Sequence, residues 1–151
     1  LENGFHTYAR ILKNDFAFYD SRTNKELTLE EIVKKPVLFI LTVHDSAVTK
    51  GYWVKIGKIL PIEPHLLIDI PVFTQNILNP LHFTIYFNGK TQPATQEECK
   101  GMEYFMIWTH TDVEKRLNDY YSDRKNEYTE QIKNADMYSW LYRKVRETHK
   151  I

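Results

Sequence analysis

An α+β fold follows from three features of the sequence. Short runs alternate apolar and polar residues as half-buried strands do, three Thr-x-x-Glu boxes mark helix starts, and apolar residues at helical spacing gather after residue 110. Together they predict a single domain built on a bent antiparallel sheet, either open or closing toward a barrel, with short helices and C-terminal helices. A chain of 151 residues with only 5 Gly and 6 Pro is long enough and regular enough to fill one core.

Phe5 to Leu12 puts Phe5, Thr7, Ala9 and Ile11 on one face of a strand and His6, Tyr8, Arg10 and Leu12 on the other. Asp15 to Tyr19 repeats the pattern after Lys13-Asn14, which predicts an antiparallel hairpin. Thr28 and Glu31 can satisfy each other's unpaired amides, so a short helix should occupy Leu29 to Lys34 before Pro36 stops it. Val37 to Val43 is apolar on both faces, as expected of a central strand. His44 to Gly51 reads as a polar connection, and Tyr52 to Ile59 as a strand returning antiparallel.

From Ile59 to Gly89 only Glu63 and Asp69 carry charge, and Pro61, Pro64, Pro71 and Pro80 break the stretch into loop and short strand. Phe83, Ile85 and Phe87 then alternate before Asn88-Gly89, a pair that accepts the positive φ of a tight hairpin. Thr95 and Glu98 start another short helix, ahead of an apolar strand from Tyr104 to Trp108. Thr111 and Glu114 open a helix that should bury Val113, Leu117, Tyr120 and Tyr121 and turn Lys115, Asn118 and Asp119 to water. Met137, Trp140, Leu141 and Val145 predict a final amphipathic helix, with Ser139, Arg143, Arg146 and Lys150 on its other side.

His44-Asp45-Ser46 contains the residue types of a hydrolytic triad. Adjacent side chains on extended backbone diverge, however, whereas a triad lines up nucleophile, base and acid. The expected role is a turn in which Asp45 and Ser46 bond nearby amides. The histidines at 6, 44, 65, 82, 110 and 149 show no metal-binding spacing, and the 5 glycines are scattered without a phosphate loop. Glu97 and Glu98 would raise the thiol pKa of the lone Cys99 and leave it idle. The sequence therefore predicts no catalytic residues, no metal and no cofactor.

Twenty Lys and Arg against 20 Asp and Glu leave no net field to draw the chain to nucleic acid or an anionic membrane. The longest apolar run falls far short of the ~18 residues of a membrane span. A single cysteine and the lack of a secretory signal point to the cytoplasm. Leu1 in place of Met, followed by Glu2-Asn3-Gly4, points to a fragment of a longer chain. Trp108 is expected in the core, and Trp53, beside Tyr52, as a partly exposed anchor for a partner.

Val43-His44-Asp45-Ser46-Ala47, Trp53 and Ile56-Gly57 are followed in order by Asn79-Pro80, Phe83-Thr84-Ile85-Tyr86, Gly89 and Pro93-Ala94-Thr95. Glu97-Glu98-Cys99, Gly101-Met102-Glu103, Trp108, Val113-Glu114 and Arg116-Leu117 complete the series. This order resembles the bacterial immunity protein 26 family over Leu1 to Tyr121. The resemblance implies an immunity domain over residues 1–121; residues 122–151 lie outside it and are expected, from their helical spacing, as a helical extension packed on the same domain. It also implies a polymorphic toxin system, in which a small cytoplasmic protein binds a cognate toxin and blocks it without catalysis. His44, Asp45, Ser46 and Trp53 are then candidate partner-binding residues. Two other readings stay open: a small hydrolase using His44, and an adaptor that holds an acidic partner through Arg143, Arg146 and Lys150. The oligomeric state is not legible.

Overall fold

Turn residues and capping boxes set most element boundaries in the computed structural model, which describes residues 1–133. β1 (Ala9–Ile11) and β2 (Phe16–Tyr19) form the expected hairpin, closed by the Leu12 amide on the Asp15 carbonyl at 2.7 Å. The Thr28 hydroxyl accepts from the Glu31 amide and the Glu31 carboxylate accepts from the Thr28 amide, starting α1 (Leu29–Val33). β3 (Val37–Leu41) follows Pro36, and α2 (Ser46–Thr49) follows His44-Asp45. β4 (Val72–Gln75) leads to β5 (Phe83–Phe87), which turns through Asn88 (φ 51°) and Gly89 (φ 69°) into β6 (Lys90–Ala94). A second complete box, Thr95 with Glu98, starts α3 (Gln96–Cys99). β7 (Glu103–Tyr104), α4 (His110–Tyr121) and α5 (Glu127–Lys133) complete the described residues. The α+β class is as the sequence predicts.

Two compact units emerge among the described residues, one of Leu1–Ile68 with Met106–Arg124, the other of Asp69–Phe105 with residues 125–133. In the first unit the strand order is β1-β2-β3, all antiparallel. Phe16, Phe18, Phe39 and Leu41 share one face by register, and the Arg116 guanidinium of α4 lies over the Phe39 ring at 4.0 Å. Ala17 occupies the other face with Leu12 and Leu66, against Val37, Ile40 and Ile62. Arg10, paired with Ala17 in the ladder, reaches Glu63 and donates to the carbonyls of Ile59 (2.8 Å) and Pro61 (3.1 Å). A largely buried guanidinium thus fastens the chain after Trp53 to the sheet.

The second unit carries the order β6-β5-β4-β7, with β7 parallel to β4 and the other pairs antiparallel. β5 buries Phe83 and Ile85 on one face, where they meet Phe73 and Cys99. Ala94, Met102 and Tyr104 close this core.

The structure corrects several expectations. Val37–Val43 is not the central strand, because β2 stands between β1 and β3 and is buried along its whole length. Both faces of this sheet are covered, so an apolar run reports the covering layers rather than a place in the strand order. Trp108 extends the β3 edge instead through a parallel bridge with Val43, so the expected strand from Tyr104 to Trp108 is split between β7 and this bridge. Tyr52 to Ile59 forms no strand, and part of the expected polar connection is the helix α2. Among the described residues no sheet closes into a barrel.

α4 is capped by Thr109, whose hydroxyl accepts from the Asp112 amide, not by the Thr111 and Glu114 box. Asp119 is buried rather than solvated, held by Lys115 at 2.6 Å and Arg124 at 3.1 Å, while Tyr120 is exposed. Trp108 is buried as expected, with 1% of its surface exposed. The predicted final helix with Met137, Trp140, Arg143, Arg146 and Lys150 lies outside the described residues.

Candidate functional site

The end of β3 and the start of α2 bring His44, Asp45 and Ser46 together at the surface. The Ser46 amide donates to His44 Nδ1 at 3.2 Å, the Ser46 Oγ lies 2.8 Å from the same nitrogen, and Asp45 Oδ1 lies 3.2 Å from it. A hydrolytic base needs one ring nitrogen for the nucleophile and the other for the orienting acid. Here every partner meets Nδ1, so the three residues form no relay. The expected turn role of Asp45 also fails, since it occupies the N-cap of α2 without a side-chain cap bond. His44 supplies that contact through its ring.

Trp53 is held at both ends. Its ring stands edge-on to Phe16 and Phe18, with centroids 5.9 and 5.8 Å away, and its Nε1 donates to Glu114 Oε1 at 2.9 Å. The ring is half-buried and rigidly mounted on the sheet and α4. Beyond it, residues 54–60 run without a bend and make no backbone-to-backbone hydrogen bond among the described residues. Val54 is 79% exposed, Ile56 59% and Leu60 62%. Gly57 touches α1 so closely that a Cβ there would stand 2.8 Å from Leu29 Cδ1. The lack of a side chain thus lets this run lie against the helix.

A cavity of about 740 Å³ in the first unit is walled by Tyr8–Ile11, by Leu29 and Ile32 of α1, by Trp53 and by the run 54–60. Sequence reasoning named Trp53 in this wall and missed the residues after it. The signal lies in the alternation of Tyr52 to Ile59, which predicts a strand but finds no partner within the described residues.

Electrostatics at the remaining groups is structural. A hydrogen bond from its own backbone amide, then the Arg10 charge, hold the Glu63 carboxyl below its ordinary range. Burial, then the charge of Glu98, push the Cys99 thiol up, so it behaves as a packing group. Among the described residues no group of three His, Cys, Asp or Glu could hold a metal ion, and no helix is long and apolar enough to cross a membrane.

Curated proteins and solved structures offer no match to the chain. A family model described as immunity protein 26 matches residues 1–83, which takes in the Val43–Ala47, Trp53 and Ile56-Gly57 motifs and the cavity wall formed by β1, α1 and residues 54–60. The ordered motifs from Thr84 to Leu117 lie beyond that match. With residues 1–83 of 151 inside it, the chain belongs to the immunity protein 26 family.

Proposed function

We propose that this chain protects its producing cell by binding a cognate toxin one to one, with no chemical step of its own. Membership of an immunity protein family carries this reading. The first unit supports it, because Val54, Ile56 and Leu60 are exposed within one short run rather than scattered singly. A stable complex needs ~800 Å² from each partner, a contact that such a run can seed. His44, Asp45 and Ser46 supply an exposed polar rim in this reading, and Trp53 the fixed base of the contact surface. The complex forms in the cytoplasm and involves neither nucleic acid nor membrane.

Calorimetric titration of the purified chain with the toxin encoded beside it tests the proposal. The expected result is saturation at an equimolar ratio, with the toxin chemically unchanged. Protection at far below one chain per toxin, accompanied by covalent change in the toxin, would make this an enzyme and refute the proposal.

A further inference from the structure

We propose that the groove between the outer edge of β1 and the run Val54–Leu60 receives an extended segment of the toxin, alternating apolar and acidic residues, as an added strand. The inference rests on the toxin-binding reading above and names its contact surface. Three independent features meet at this groove.

The first is an open edge. The Tyr19 amide bonds the Tyr8 carbonyl and the Leu12 amide bonds the Asp15 carbonyl, so Tyr8, Arg10 and Leu12 are the residues of this strand that face β2. Ala9 and Ile11 alternate with them and turn their amides and carbonyls outward, where no strand pairs with them among the described residues. Such an edge is a template for another chain, and strand addition uses it directly. Neither a proline nor a charged side chain blocks it at these two positions.

The second feature is the opposite wall. Residues 54–60 present Val54, Ile56 and Leu60 to solvent, and their amides are free of backbone partners among the described residues. Trp53 and the Arg10 contacts to Ile59 and Pro61 hold this wall at its two ends, so it is already formed before a partner arrives.

The third is charge. From Ser46 to Ile62 the chain has Lys50, Lys55 and Lys58 and no Asp or Glu. All three lysines are exposed and enter no ion pair among the described residues. Lys55 and Lys58 line the cavity, and its one carboxylate among the described residues, Glu114, is engaged by Trp53, so a chain with no net charge carries a local cationic rim here that favours an acidic occupant.

The test measures affinity of the toxin encoded beside this chain for the intact wild-type protein and three variants. Ile11→Pro deletes one outward amide and leaves the inward bonds of β1 in place, as proline on an edge strand can. Lys55→Glu with Lys58→Glu reverses the rim on exposed positions where folding is indifferent. Leu78→Ser alters an exposed apolar residue of the second unit as a control. Ile11→Pro and the double reversal should each weaken binding about tenfold or more, the latter less at high salt, while Leu78→Ser binds as wild type. Wild-type affinity for the double reversal and for a folded Ile11→Pro would overturn the groove assignment while leaving toxin binding standing. No binding by the wild type would instead refute the parent reading.

Discussion

Phe83–Phe87 and Tyr52–Ile59 carry the same alternation of large apolar and other residues, yet only the first is paired. Asn88-Gly89 folds β6 back onto β5, and Phe83 and Ile85 are buried as a result. No such turn follows Ile59, and Val54 and Ile56 stay in water. The difference teaches that alternation encodes a demand for pairing, while local turn chemistry decides whether the chain meets it by itself. An unmet demand on a rigid wall is a surface prepared for a partner.

Truncating the two isoleucines should separate the stretches most strongly. Ile85→Ala leaves a cavity in the core with Phe73, Phe83 and Cys99 and should cost about 2–5 kcal/mol, read by denaturant unfolding. Ile56→Ala should change stability by less than about 0.5 kcal/mol. Equal losses would mean that the run 54–60 is part of the folded core and not a docking wall.

Arg10→Ala comes next, because it frees the Ile59 and Pro61 carbonyls and leaves Glu63 without its cation. A loss of about 2 kcal/mol is expected, below that of a fully buried pair because Glu63 is partly solvated. Toxin affinity should fall with it, since the wall loses one of its fixed ends. An unfolding curve like that of the wild type would remove Arg10 from this role.

Cys99→Ser should cost about 1–2 kcal/mol by placing a hydroxyl among Phe73, Phe83 and Ile85, with toxin binding unchanged. Acid should produce the smallest effect. Glu31 is held below the ordinary carboxyl range chiefly by the Thr28 amide, and Glu63 chiefly by its own backbone amide. Their stabilisation is complete above the unfolded value of about 4.3 and is lost as pH falls through the lowered folded values. Melting Glu31→Gln and Glu63→Gln between pH 3 and pH 6 should therefore show a flatter acid limb than wild type, at roughly these pH limits.

Legibility tracked how local each determinant is. Thr28 with Glu31, Thr95 with Glu98 and Asn88-Gly89 act within four residues, and each stands where the sequence places it. Thr109 carries no Thr-x-x-Glu signature, because Asp112 is too short to complete a Glu-type box and instead accepts from the Thr109 hydroxyl at 2.6 Å. Asp119 misled for a longer-range reason, its burial depending on Arg124 and Lys115 together. The order β1-β2-β3 could not be read from apolarity, since two covering layers make the edge strand β3 look as central as β2. At the candidate site, Trp53 was legible by its type. Its mounting on Phe16, Phe18 and Glu114 depends on residues far apart in the chain.

Hydrogen exchange on the equimolar complex with the toxin encoded beside this chain bears most directly on the central claim. Amides of Ala9 and Ile11 should exchange freely in the isolated protein and become protected in the complex, together with amides of residues 54–60. Exposed amides of the second unit, such as those near Leu78 and Leu81, should exchange alike in both states. Protection confined to the second unit, with the amides of Ala9, Ile11 and residues 54–60 unchanged, would contradict the account.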